Sequence, residues 1–383
     1  MGIKVAIDVS RGRSGGAKAH LIGFIEEAVP EAFGIEEIHV WSYSDLLKKL
    51  PERSWLFKHT HPDLEKSLLH QIKWQWFRLK KEVKKFGCHV ILSTDAGTVY
   101  VHHPSVVMSR DMLSFERSEI ARYKRFIPWL RLFVLRFVQS YSLKKADGAL
   151  FLTKYAADTI QTWSGPIPNY RVIPHGVGMQ FKNNSRRFEW PRLRQRNIRC
   201  LYISNTAMYK HQWHVVEAFH MLRKEGFQVE IEFVGGGNGD SNQRLNDYIH
   251  QFDPKGEFTR RVEFLPHGEL PNSLSSCDLF VFASSCENMP NTLVEAMACG
   301  LPIACSNLGP MPEVLRDGGV YFHPENPESI FNAIKMLIEN PDEREKLASK
   351  AKMYSEEYSW RRCSHETLSY LIDIYHESIK KEK

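Results

Sequence analysis

The chain has 383 residues, a formal net charge of +6 and a pI near 8.8, with 43% apolar and 25% charged residues. That length points to two domains, and the composition is that of an ordinary globular chain, which excludes disordered and fibrous classes. The basic excess admits phosphates, acidic lipids or nucleic acid as partners and singles out none.

In chain order, residues 4–8 form a short apolar strand with none of the long apolar core of a signal peptide. A loop with Gly12, Gly15 and Gly16 follows, then a helix over about 17–28 and a strand over 37–42. Residues 68–86 read as a helix rich in Trp, Lys and Arg, and 89–93 and 105–109 as strands. Residues 116–145 read as a long helical region broken or kinked at Pro128. Its apolar part carries Arg131 and Arg136 and is too short to span a bilayer. A strand over 148–152, a helix over 153–163 and a strand with a turn over 170–177 complete a first α/β run. The alternation of strand and helix is that of a doubly wound parallel sheet.

Between 178 and 199 the composition turns basic, and the alternation then restarts. Strands are expected over 198–204, 229–234, 262–265, 279–282 and 303–306, and helices over 212–224, 244–252, 270–276, 327–339 and 342–354. A last helix covers 360–380. The predicted organisation is a first Rossmann-like domain over 1–178, a basic exposed linker over 179–197, a second Rossmann-like domain over 198–356 and a terminal segment over 357–383. The seven cysteines are odd in number and form no C-x-x-C pair, so neither disulfides nor a structural zinc is expected, and a reducing cytoplasmic setting fits.

The densest motif begins at Ser284 and ends at Pro302. An apolar strand leads into a loop with Glu287, Asn288, Met289, Pro290 and Asn291, then a helix over about 292–299 that Gly300 and Pro302 stop. Thr292 is placed to cap that helix with Glu295 as its capping-box partner. A helix amino end with its unpaired N–H groups suits a phosphate. After the 198–204 strand come Ser204, Asn205 and Lys210, and after the 229–234 strand comes Gly235-Gly236-Gly237-Asn238-Gly239. That run fails the dinucleotide fingerprint and reads equally as a phosphate-side loop or a tight turn.

Glu287 and Glu295 stand in an E-x7-E arrangement, and the chain resembles glycosyltransferase family 4 over nearly its whole length. The resemblance also takes in Gly15-Gly16, the 172–177 segment, Tyr209-Lys210-His211 and Ser359-Trp360. It implies a GT-B fold, with two Rossmann-like domains facing a central cleft and a C-terminal helix crossing back to the first. It implies a retaining hexosyl transfer from a nucleotide sugar, UDP- or GDP-linked, to a glycan or lipid-linked glycan acceptor, in surface polysaccharide synthesis. By that resemblance the second domain binds the donor and the first binds the acceptor. Glu295 then accepts the ribose hydroxyls, Glu287 the hydroxyls of the transferred sugar, and Lys210 meets the diphosphate. The N–H groups of Asn288, Met289, Asn291 and Thr292 reach sugar and phosphate oxygens, and Gly235 and Gly236 lie near the diphosphate. Gly15 and Gly16 let the first domain's backbone approach a ligand closely.

The chain departs from the family where an Arg is expected before Lys210, because Ser204 and Asn205 stand there. One missing charge-assisted hydrogen bond is worth about 1.5–3 kcal/mol. Where the family often has a His, the sequence reads Met108-Ser-Arg-Asp-Met112, so Arg110, Asp111, His102 and His103 are the acceptor-side candidates. No D-x-D triplet occurs, so neither a divalent metal nor another cofactor is expected. The basic aromatic stretches 73–81 and 117–145 suit either core-facing helices with solvated basic faces or peripheral contact with an anionic membrane at its cytoplasmic face. No nucleic-acid-binding motif accompanies them. The other readings are a GT-B phosphorylase or epimerase, and a silent nucleotide-sugar-binding protein that lost the Arg.

Overall fold

The computed structural model describes residues 2–100, 102–123, 126–184, 190 and 196–382. The chain forms two compact units, Met1–Gly176 with Ser359–Lys383, and Val177–Tyr358. The last helix, Trp360–Glu382, thus belongs to the first unit.

The first unit is built on a seven-stranded parallel sheet in the order β3-β2-β1-β4-β5-β6-β7. Its strands are β1 (Ile3–Asp8), β2 (Ile35–Trp41), β3 (Leu56–His59), β4 (Val90–Ser93), β5 (Ser105–Met108), β6 (Gly148–Phe151) and β7 (Tyr170–Val172). The central strands β4, β5 and β6 are buried throughout, so they read as unbroken apolar runs rather than alternating ones. The second unit has a six-stranded parallel sheet of β8 (Ile198–Ile203), β9 (Val229–Val234), β10 (Thr259–Val262), β11 (Leu279–Phe282), β12 (Ile303–Ser306) and β13 (Val320–Phe322). Its order is β10-β9-β8-β11-β12-β13. Strand order reverses between β1 and β4 in one sheet and between β8 and β11 in the other. Such reversals open a crevice at the carboxyl ends of the strands.

Crossovers between parallel strands are right-handed, so their direction along the sheet decides which face a helix covers. The β3-to-β4 and β5-to-β6 connections run the same way along the first sheet. The helical segment of Leu68–Trp74, Gln75–Leu79 and Lys80–Lys85 therefore shares a face with the helix Phe126–Lys145. The helix Gly15–Glu26 runs the opposite way and lies on the other face, where it packs with Trp360–Glu382. A Cβ on Gly23 would fall within 2.3 Å of the Trp360 ring, so that contact needs a glycine.

Several expectations change. Gly15 and Gly16 are the first turn of a helix, not a loop, because Ser14 Oγ accepts from Ala17 N at 3.2 Å and starts the helix earlier. A Cβ on Gly15 would meet nothing within 4 Å, so no close approach demands a glycine there. The interruption in 116–145 falls before Pro128, between Arg117–Ile120 and Phe126–Lys145. Pro128 sits in the first helical turn, where its missing N–H breaks no bond. The 68–86 helix widens into a π-turn at Gln75–Leu79.

Strands β3 and β13 were not expected, and β10 lies earlier than the predicted 262–265. All three are short, lie at or next to a sheet edge, and carry polar or half-exposed residues. The basic linker 179–197 falls partly outside the described residues. What is described there is not simply exposed. Met179–Lys182 is a helical turn, and Arg344 stacks over the Trp190 ring at 3.7 Å. Arg196 makes a two-pronged bond to the buried Asp278 at 2.5 and 2.8 Å.

Candidate functional site in the second unit

Two loops leave the carboxyl ends of the neighbouring strands β8 and β11 at the reversal point of the second sheet. They are tied to each other: Ser285 N donates to Tyr209 O at 2.8 Å, and His211 Nε2 bonds Ser285 Oγ at 2.8 Å. His211 holds a left-handed backbone (φ 49°, ψ 28°) at the start of the helix Gln212–Lys224. A non-glycine residue in that region carries strain that the surrounding contacts must maintain, and such residues collect at functional sites. The Tyr209-Lys210-His211 motif by itself assigns His211 no role. Its hydroxyl contact and strain are visible only in three dimensions.

Lys210 is not a surface lysine. It is buried, its Nζ donates to Glu287 Oε1, and the ammonium lies 5.1 and 5.4 Å from the Tyr209 and Phe282 ring centroids. Tyr202 Oη donates to Lys210 O at 2.6 Å and holds the backbone of this turn against β8. The pair joins the loop after β8 to the loop after β11 across a sequence separation of 77 residues.

The helix Asn291–Ala298 begins one residue earlier than predicted, and its start has no side-chain cap. Thr292 is inside the helix, and its hydroxyl donates to Ile203 O at 3.4 Å instead. The capping box is therefore absent. The Thr292 bond turns the helix amino end toward the end of β8. Asn291 N donates to Met289 O at 3.1 Å, which removes one donor from the expected anion cradle. Asn288 and Met289 are buried in the loop.

Glu295 lies one turn along and is buried. Its Oε1 is 3.3 Å from His267 Nε2, and its Oε2 is shielded from water with no hydrogen-bond partner among the described residues. Bonding to the Glu295 carboxylate holds the His267 ring above the ordinary histidine range, against the opposing effect of burial. No motif marks His267 in the sequence.

Gly235, Gly236 and Gly237 pack against the loop after β8. A Cβ on Gly235 (φ 121°) would sit 2.3 Å from Ser204 O, and one on Gly237 would sit 2.7 Å from Thr206 Cβ. Gly236 lies over Glu263, and its carbonyl accepts from Thr206 N at 3.1 Å. The glycines thus let the two loops touch, which is a packing reason for the run. Ser204 Oγ accepts from Gln212 Nε2 at 3.1 Å, while Asn205 is exposed.

Among the first unit's candidates, His102 and His103 are displaced from the carboxyl ends. His103 precedes β5, and its Nδ1 bonds Asp147 Oδ2 at 2.8 Å just before β6. His102 is near it and stacks on Tyr100 with centroids 5.8 Å apart. The chain has already crossed to the amino ends of the strands by that point. Arg110 and Asp111 do follow the carboxyl end of β5. Among the described residues, no group of three or more His, Cys, Asp or Glu is placed to hold a metal ion.

Residues 186–354, which contain all of the β8 and β11 loop residues above, match the family model for glycosyl transferases group 1. This part of the chain is similar to that family. The O-antigen chain mannosyltransferase B of Escherichia coli is 25% identical over 170 residues, covering 44% of this chain and 44% of that protein. The chain spans about half the length of the curated relatives it matches. Beyond the group 1 segment, the likeness is one of fold. A sucrose-phosphate synthase from Thermosynechococcus elongatus aligns with a TM-score of 0.75 at 15% identity, covering 98% of this chain and 100% of that one. The Anabaena protein HepE, in a complex with UDP-glucose, aligns at 0.70 and 17% identity, covering 99% and 100%. The architecture is GT-B.

Proposed function

We propose that the chain is a metal-independent, retaining glycosyltransferase that moves a hexosyl group from a nucleotide sugar to a glycan or lipid-linked glycan acceptor. One observation carries the reading: at the β8/β11 reversal the group 1 segment holds the Lys210–Glu287 pair and a Glu295 Oε2 with no partner among the described residues. A buried carboxylate oxygen without a partner is costly, and a ribose diol supplies two O–H donors to it. Lys210, released from Glu287 or shared with it, meets the diphosphate. The helix amino end at Thr292 adds a positive partial charge. Glu287 then accepts hydroxyls of the sugar. The acceptor oxygen attacks the anomeric carbon on the face from which the diphosphate leaves. The C–O bond to the diphosphate breaks, and a leaving-group oxygen takes the acceptor's proton. The protein's part is positioning and charge stabilisation.

An acceptor at a membrane surface is supported by the first unit. Of the 20 residues in Phe126–Lys145, Leu132, Gln139, Ser142 and Leu143 are buried, and no acidic residue is present. Ile127 (79% exposed), Phe126, Val134 and Phe137 face outward among Arg131, Lys144 and Lys145. Trp76 and Phe77 are more than 60% exposed on the same side of the sheet. Among the described residues, no helix is long and apolar enough to cross a membrane. An apolar stripe set in basic charge suits the surface of an anionic bilayer.

The test is a thermal-shift screen of UDP-, GDP- and ADP-sugars on the wild type and Glu295→Ala, followed by release of nucleoside diphosphate with and without lipid extracts. A donor that stabilises only the wild type and turns over only with acceptor supports the proposal. Acceptor-free isomerisation or phosphorolysis would replace it with the epimerase or phosphorylase reading. Binding with no turnover across all donors and extracts would replace it with a silent binder.

A further inference from the structure

At the carboxyl end of β5 in the first unit stands a cation, Arg110, two of whose nitrogens bond to none of the described residues. Arg110 follows Ser109, whose N–H donates to Leu150 O at 2.9 Å and keeps the chain in register one residue past the strand. The Arg110 side chain is half-buried. Its Nε and Nη1 are shielded from water and have no hydrogen-bond partner among the described residues. Asp95, after β4, is the acidic group that acts on it. That carboxylate is already engaged: Oδ1 accepts from Gly97 N at 2.7 Å, and Oδ2 lies 3.7 Å from Arg11 Nε.

His20 lies within electrostatic reach of Arg110. It is 1% exposed, stacks on His175 with centroids 4.6 Å apart, and has no hydrogen-bond partner on either ring nitrogen among the described residues. Burial above all, then His175 and Arg110, hold its ring well below the ordinary histidine range, so it stays neutral. A neutral imidazole still carries one N–H donor. Arg110 and His20 therefore offer unmet donors, and Nε and Nη1 of the guanidinium meet no acceptor among the described residues. A shielded guanidinium is expensive to hold without a counter-charge, and buried polar groups are normally satisfied.

We propose that Arg110 and His20 form a receptor for an anionic group, a carboxylate or a phosphate, on a ligand bound at the carboxyl ends of the first sheet. A guanidinium presents two parallel N–H bonds to the paired oxygens of either group. A neutral sugar would leave the charge unmet, so the ligand class is an acidic or phosphorylated glycan. Assigning that ligand to the acceptor rests on the glycosyl-transfer reading above. The anion site itself does not.

The experiment is thermal unfolding of the full chain with inorganic phosphate or glucuronate, against glucose and chloride at matched ionic strength. Wild type, Arg110→Met, Arg110→Lys and His20→Gln are compared. The wild type should show a saturable rise with one anion, about 5 °C at a hundredfold excess over Kd. Arg110→Met should lose the rise, while Arg110→Lys and His20→Gln should keep part of it. Without anion, Arg110→Met should melt no lower than the wild type, because it removes an unpaired shielded charge. A phosphate response assigns a phosphorylated ligand, and a glucuronate response an acidic sugar. The rise produced by UDP or GDP reports the second unit and should persist in Arg110→Met. Its absence in every variant, beside an intact anion response, would defeat the donor reading and leave this one standing. No saturable response in the wild type, or equal responses in wild type and Arg110→Met, overturns the proposal.

Discussion

Glu287 and Glu295 are chemically alike and one motif apart, yet the fold gives them different neighbours. Glu287 is paired with a buried ammonium; Glu295 meets an exposed imidazole with one oxygen and, among the described residues, nothing with the other. Glu287→Gln leaves the shielded Lys210 charge without its counter-charge, and breaking such a pair costs about 3 kcal/mol. Urea unfolding should show that loss. The double change Lys210→Met with Glu287→Leu should recover much of the stability and none of the donor turnover, which separates the pair's structural part from its chemical one. The His267 contact makes a pH prediction. Glu295 raises the folded-state pKa of His267, so the pair's contribution is fully present below the unfolded histidine value near 6.5 and fades as pH rises through the higher folded value. The stability difference between wild type and His267→Ala should shrink from pH 6 to pH 8.5. A gap that widens over that range would contradict the pairing.

At the scale of elements, the loops after β8, β9 and β11 act as one unit because glycine removes the side chains that would hold them apart. Gly235→Ala asks for a Cβ at φ 121° and 2.3 Å from Ser204 O. The change should cost more than about 1 kcal/mol and weaken donor binding, since the loop that carries Lys210 must shift. Gly15→Ala has open space and an ordinary helical position. It should leave stability level or slightly raised, and paired melting curves of the two variants test the contrast. The buried central strands and the long amphipathic helices were legible because their patterns repeat over many residues. Strand β13, Val320-Tyr-Phe322, has three residues and no period to read. The helix starts at Gly15 and Asn291 were misplaced because a cap is a hydrogen bond, and sequence shows only which residues are able to make one. Ser14 makes its bond to Ala17, whereas Thr292 gives its hydroxyl to a strand 89 residues away.

At the scale of the whole molecule, the crossover direction unites two basic aromatic stretches that lie some 50 residues apart in sequence. The Trp76/Phe77 edge and the Phe126–Lys145 stripe cover the same side of one sheet. Sedimentation with vesicles should show binding to those containing about 30% anionic lipid and little to neutral ones, with loss in raised salt. Trp76→Glu combined with Phe137→Glu should abolish it without lowering the melting temperature, since both side chains are exposed. Equal binding of the variant and the wild type would remove the membrane face from the argument.

Sequence alone determined the two α/β halves and the E-x7-E stretch with Lys210 ahead of it. Those follow from local periodicity and residue chemistry, which a linear chain carries in full. Tertiary structure decided which groups have partners. Lys210 became a buried half of an ion pair, His267 and His211 entered the site, and His102 and His103 left the carboxyl ends for the amino ends of β5 and β6. Arg110 became a charge with two shielded nitrogens that have no partner among the described residues. Whether a polar atom is satisfied depends on atoms tens of residues away that arrive only when the sheets assemble. The chemistry on offer is therefore written in the sequence, and its availability is set by packing.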